Sequence, residues 1–159
     1  MIKALLFDFS RTLLFPKDRS YKEGLNSLHK KLSESPDYIF FEHFELNKEI
    51  LHFLDRIKDK VSVYMFTSES IQETSDLKPI ISKTFVKVFS AKMMSLDKKN
   101  PNSYLLISKD INIKPEEIVF VDDSLENIEA AIKAGFKTIR YTDNKELFNE
   151  LSKFNISLR

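Results

Sequence analysis

The sequence predicts one α/β domain, a doubly wound and mainly parallel five-stranded sheet in a three-layer α/β/α sandwich. Three observations carry that expectation. Short apolar, β-rich runs at 4–7, 61–66, 85–89, 118–121 and 137–141 alternate with segments of helical period. The chain has 159 residues, the size of one ordinary domain, and a chain of that size buries enough surface to hold a core without staples. No internal repeat, low-complexity tract or break in composition marks a second domain.

Composition narrows the chemistry. With no cysteine there is no disulfide framework, thiolate metal site or cysteine nucleophile, which fits a reducing cytoplasm. The net charge is +1 with both signs interspersed, a solvated surface and not the footprint of a nucleic-acid binder. No run approaches the roughly 20 apolar residues of a membrane span. The first apolar run lacks a small-residue cleavage site and is interrupted by Asp8, so no leader is expected. Glycine occurs only at Gly24 and Gly135, so a glycine-rich phosphate loop is absent. Any phosphate site must be built from other groups.

Ala4-Leu5-Leu6-Phe7 is too short to span a bilayer and suits a strand buried on both faces. It stops on Asp8, and Ser10 and Thr12 follow. After a polar turn at 16–20, residues 21–33 read as a helix with Leu25, Leu28 and Leu32 on one face. Ser35-Pro36-Asp37 ends it, and the aromatic patch at 38–41 has no clear local period. Residues 44–58 read as an amphipathic helix striped by Leu46, Ile50, Phe53, Leu54 and Ile57. The strand at 61–66 closes on Thr67-Ser68. Residues 69–82 read as partly helical, with Pro79 as a break.

After the strand at 85–89, residues 90–100 form a loop or short turn carrying Lys98, and 101–110 read as a helix with Pro101 in its first turn. A turn at 115–117 leads into the strand at 118–121, which runs into Asp122-Asp123-Ser124. The following helix turns Ile128, Ala131 and Ile132 inward and stops at Gly135. A strand at 137–141 and a helix at 144–153 complete the chain, with a frayed end. His29, His43 and His52 have no ligand spacing and read as surface or packing residues.

Asp8, Thr67-Ser68, Lys98 and Asp122-Asp123 thus lie just past strands or near the carboxyl edge of the sheet, where open α/β folds bind ligands. Each alone has a plain structural use, as a strand end, a cap or a solvated cation. Their order and strand context resemble the haloacid dehalogenase-like superfamily of hydrolases. Asp8-Phe9-Ser10-Arg11-Thr12 is similar to the first motif of that family, Asp-x-Asp-x-Thr. Thr67 in YMFTSES matches the second motif. Lys98 matches the third when Pro101 and Tyr104 are aligned, with Lys99 and Asn100 as departures. IVFVDDSLENIEAAIKAGF matches the fourth in its Asp-Asp-x-x-x-Asn form, with Asn127 where many relatives have Asp. The resemblance covers residues 2–141.

The resemblance implies Asp8 as a carboxylate nucleophile that forms an aspartyl phosphate. It implies Mg²⁺ held by Asp8, the backbone carbonyl of Ser10 and Asp123, with Asp122 close by. Thr67, Ser68 and Lys98 would bind and neutralise the phosphoryl group. A bacterial receiver domain uses similar residues, but its acidic pair comes first and its phosphorylated Asp later, the reverse of the order here.

Two departures set expectations. Ser10 stands where family phosphatases carry the aspartate that protonates the leaving group and activates water, so a slow enzyme is expected. The competing class is a non-catalytic binding or regulatory protein on the same scaffold, and a dehalogenase is a weaker option. The second departure is the short interval between the first two motifs, which leaves only residues 17–41 as a small cap-like insertion. An open site of that kind suits a bulky phosphorylated substrate, or a partner subunit as lid in a homo-oligomer.

Overall fold

A computed structural model describes residues 1–158. Its strands and α-helices in chain order are β1 (Ala4–Phe7), β2 (Leu14–Pro16), α1 (Leu25–Leu32), α2 (Phe40–His43), β3 (Phe44–Leu46), α3 (Lys48–Ile57), β4 (Ser62–Thr67), α4 (Lys78–Thr84), β5 (Lys87–Ser90), α5 (Ala91–Met94), α6 (Pro101–Ile111), β6 (Ile118–Asp122), α7 (Leu125–Lys133), β7 (Lys137–Arg140) and α8 (Asn144–Lys153), with short 3-10 turns at Ile71–Glu73 and Pro115–Glu117.

Five strands form one parallel sheet in the order β5-β4-β1-β6-β7. β1 is central, with Ala4 paired to Ser62 on one side and Ile118 on the other. All four of its residues are buried, as an apolar run in a doubly covered sheet should be. Leu5 and Phe7 face a core shared with α3 and α8, through Ile50, Phe53, Leu54, Leu147 and Leu151. Ala4 and Leu6 face the opposite core, formed with Tyr104 and Ile107 of α6 and Ile128 and Ala131 of α7. The strand order reverses direction at β1, so the crevice beside its carboxyl end is the topological switch point.

The predicted sandwich and its five strands are present, and four local expectations are corrected. First, residues 44–46 are not the start of a helix. They form β3, antiparallel to β2 in a separate two-stranded ribbon, with Leu14 opposite Leu46. Their partner lies about 30 residues upstream, beyond any local period, and Asn47 ends the strand by accepting the Ile50 amide as helix cap. Second, Pro79 opens α4 instead of breaking a helix, because its missing N–H falls in the first turn. Third, the predicted loop or short turn at 90–100 begins with a single helical turn, α5, capped by Ser90. Fourth, Ile132 is 55% exposed. The buried arc of α7 runs through Ala130, Ala131, Ala134 and Ile128, and Ile132 falls just beyond it.

The segment between β2 and β3 carries α1 and α2. Of the aromatic patch, Phe40 is buried and stacks on Phe44 at 4.8 Å, while Ile39 and Phe41 face outward. His29 packs there with its Nδ1 2.9 Å from the Tyr38 hydroxyl, His43 stacks on Tyr38, and His52 is exposed. Gly135 follows α7 at φ 90°, the left-handed conformation expected of a glycine just past a helix end.

Candidate active site

Asp8 sits one residue past β1, its amide donating to the Val121 carbonyl at 2.8 Å, so two adjacent strands fix its backbone. The chain then reverses tightly. The Phe9 carbonyl accepts from the amides of Thr12, Leu13 and Leu14, at 3.3, 2.8 and 3.0 Å. Arg11 takes a left-handed φ of 61° to make that turn. Thr12 is fully buried, and its hydroxyl donates to Asp8 Oδ2 at 3.5 Å. Ser10 lies half-buried on the turn between them.

Lys98 is only 6% exposed although 90 residues separate it from Asp8. Its Nζ lies 2.5 Å from Asp8 Oδ1 and 2.9 Å from Asp122 Oδ2, between the rings of Phe66 and Phe120 at 5.5 and 5.8 Å. Tyr104 of α6 holds it there: the Tyr104 hydroxyl lies 2.6 Å from the Lys98 carbonyl and 3.2 Å from that of Asn127. The residues between Lys98 and Pro101 therefore do not displace the ammonium, because the tyrosine below fixes its backbone.

Asp122, the last residue of β6, is fully buried. Its Oδ1 accepts the Ser124 amide at 2.8 Å and its Oδ2 accepts the Asn127 side chain at 3.0 Å as well as Lys98. Asp123 beside it is half-buried. Asp8, Asp122 and Asp123 each present an oxygen within 4.8 Å of the others, the one group of three potential metal ligands among the described residues. Thr67 is buried at the end of β4. Ser68 is exposed, its carbonyl taking the Lys92 amide, and it lines a 410 Å³ cavity with Lys98, Lys99, Ser124, Glu126 and Asn127. Every residue singled out in the sequence thus lies along one stretch of the sheet's carboxyl edge.

The electrostatics are those of three acids facing one buried ammonium. Burial, with Asp122 and Asp123 adding to it, pushes the Asp8 carboxyl up to about 7 against the pull of Lys98. Burial also raises Asp123, and the neighbouring Asp122 adds to the rise. Burial alone would lower Lys98, but Asp8 and Asp122 outweigh it and keep the ammonium protonated. An excess of buried negative charge with hard oxygen donors fits a divalent cation such as Mg²⁺. Asp122 already accepts three hydrogen bonds through its two oxygens, whereas Asp8 accepts from Lys98 and, at 3.5 Å, only weakly from Thr12, so Asp8 keeps more of its lone-pair capacity for a cation.

Sequence reasoning missed two supporting residues. Tyr104 served only to align the lysine, and Asn127 stood only as a variant. Tyr104 acts on the Lys98 carbonyl six residues back and on the Asn127 carbonyl 23 residues on, and Asn127 on the Asp122 carboxylate five residues back, contacts that hydrophobic periodicity does not reveal.

The parallel α/β sandwich thus brings three acids and a buried lysine together at its switch point, with a buried threonine at the end of the neighbouring strand β4. The chain belongs to the haloacid dehalogenase-like hydrolase family, whose profile matches residues 17–135. It is 27% identical over 121 residues to the phosphorylated carbohydrates phosphatase of Thermotoga maritima, covering 74% of this chain and 56% of that protein. It is 30% identical over 109 residues to enolase-phosphatase E1 of Komagataella phaffii, covering 60% and 44%. The chain therefore spans about half the length of these relatives. Its fold is similar to a family enzyme from Bacteroides thetaiotaomicron solved with magnesium and inorganic phosphate, at TM-score 0.66 and 16% identity, covering 93% of this chain and 100% of that one. No helix among the described residues is long and apolar enough to cross a membrane.

Proposed function

We propose that this chain is a slow Mg²⁺-dependent phosphatase or phosphotransferase that works through an aspartyl phosphate on Asp8. The observation that carries the reading is the convergence of Asp8 and Lys98 at 2.5 Å beside the Asp122–Asp123 pair, in a chain whose relatives include named phosphatases. Asp8 Oδ attacks phosphorus, a new O–P bond forms, and the bond to the leaving oxygen breaks with its electron pair passing to that oxygen. Thr67, with Ser68, would donate hydrogen bonds to phosphoryl oxygens. Lys98 offsets charge on Asp8 and on the phosphoryl group. Asp122 orients Lys98. Asp8, the Ser10 carbonyl and Asp123 would hold Mg²⁺, which screens the repulsion between the two anions as they approach.

Ser10 is the weak part of this machinery. A serine hydroxyl neither protonates a departing alkoxide nor activates water readily near neutral pH, and such help is worth roughly 10²–10⁴-fold. The same residue favours the second reading, a binding or regulatory protein on the family scaffold. Residues 17–41 serve as a small cap-like insertion, the substrate is phosphorylated and can be bulky, and the protein works in the cytoplasm, with self-association open to it.

Hydrolysis of an aryl phosphate with and without Mg²⁺, in wild type and Asp8→Asn, tests the reading. Turnover should need the metal and fall by roughly 10³-fold or more in the variant. Equal rates in the two proteins would leave the binding-protein reading in its place.

A further inference from the structure

Arg11 is retained in a conformation that L-residues disfavour, at φ 61°, one position past Ser10. Strain kept at such a place points to a use for the side chain. Arg11 is half-buried, and its guanidinium pairs with no carboxylate among the described residues. Its Nη2 donates to the Glu23 carbonyl at 2.7 Å and to the Tyr21 carbonyl at 3.2 Å. The segment it grips is itself tightly folded. Asp18 Oδ1 accepts the Ser20 amide at 3.0 Å, the Tyr21 amide donates to the Asp18 carbonyl at 3.2 Å, and the Tyr21 hydroxyl donates to the Gly24 carbonyl at 3.1 Å.

The far end of that segment is also tied. Asn26 Oδ1 accepts the amides of Ile71 and Ser70, at 2.9 and 3.3 Å. Those amides belong to the loop that follows Thr67-Ser68. Residues 18–26 therefore span two loops that leave adjacent strands, β1 and β4, and that carry Ser10 on one side and Thr67-Ser68 on the other. This segment is a strap that joins the two loops, held by Arg11 from the first and through Asn26 to the second, with Arg19 also pairing with Glu45 of β3.

We infer that Arg11 is a positioning residue that clasps this strap beside Ser10, so that it forms a fixed wall for the part of the substrate bonded to the transferring phosphoryl group. The inference rests on the phosphohydrolase reading. It assigns to Arg11 a share in choosing leaving groups, without contact with the reacting atoms. A leaving group large enough to meet the wall is oriented by it, and a minimal one is not.

Arg11→Gly is the informative variant, because glycine adopts the left-handed turn freely and removes only the clasp. Its melting temperature should hold or rise. Amide exchange in residues 18–24 should quicken by about tenfold as the strap loosens. Turnover should split by substrate: kcat/KM for phenyl phosphate should drop by about tenfold or more, while acetyl phosphate changes by less than about threefold. Arg11→Lys, which keeps one cationic donor, should restore part of the loss on phenyl phosphate. Unchanged exchange would overturn the clasp, whatever the activity. Equal losses on both substrates would overturn the positioning role. Wild type lacking any Asp8-dependent turnover would instead remove the phosphohydrolase reading and the positioning role with it, the clasp still being judged by exchange.

Discussion

At the scale of single residues, the site is a contest between burial and pairing around Asp8. Its carboxyl titrates near 7 because burial and two neighbouring acids outweigh Lys98. A carboxyl raised in the folded state binds a proton that the unfolded chain has already released. The stability this contributes is present below the ordinary carboxylate range, near 4, and is lost as pH climbs through about 7. Metal-free protein should therefore melt progressively lower between about pH 4 and 7 and level off above that, and Asp8→Asn should flatten that slope. Mg²⁺ competes with the proton for the same oxygens, so it should raise the melting temperature more at pH 8 than at pH 5. Thermal melts with and without the metal check both statements. Ser10 permits a second test. Ser10→Asp supplies a carboxyl acid next to the leaving oxygen and should raise turnover of an alkyl phosphate by about 100-fold. An acyl phosphate, whose leaving group needs no proton, should gain far less. Steady-state rates on the two substrates that rise together would sink the missing-acid account.

At the scale of elements, a polar hub ties the ribbon to the sheet. Asn47 donates to the Thr12 carbonyl at 3.3 Å, the Tyr141 hydroxyl at 3.2 Å and Asn144 Oδ1 at 2.8 Å, and it also caps α3. Thr12 in turn touches Asp8. Asn47→Ala should cost about 1–2 kcal/mol, the loss of a cap together with hydrogen bonds to half-buried partners. Because the slack passes to the turn that aims Asp8, activity should fall with stability, which denaturant melts and kinetics on the same variant compare. Asn47 also marks where sequence stops being informative. The five strands of the sheet announce themselves by composition, and Asp8, Thr67 and Asp122 can be found because strand ends are visible. The ribbon of β2 and β3 is only three residues on each side, and Phe44 and Leu46 suit a helical stripe as well as an alternating one. Its pairing is set by tertiary contact, as are the bonds of Tyr104 to the Asn127 carbonyl and of Arg11 to the Tyr21 and Glu23 carbonyls.

At the scale of the whole molecule, the decisive feature is how short the segment between β2 and β3 is. The segment between β2 and β3 holds an eight-residue helix, a four-residue helix and the strap, and its ties are local: Arg11 and Asn26 at the ends of the strap, Phe40 stacked into the core. Nothing in that inventory is large enough to fold down and enclose a substrate. Sealing a site from water is usually the work of a closing lid or domain, and a site without one gives up some selection by size. The strap meets only the portion of the leaving group nearest the phosphorus, and further bulk extends into solvent. Aryl phosphates of matched leaving-group acidity but growing size beyond the first ring should therefore keep kcat/KM within about threefold. An enclosed site would reject the larger members by far more than that. Measured across such a series, a steep loss with size would mean that residues 17–43 close over the substrate, and the open-site account would be wrong. A flat series, together with a drop confined to the first ring in Arg11→Gly, would assign selection to the strap alone.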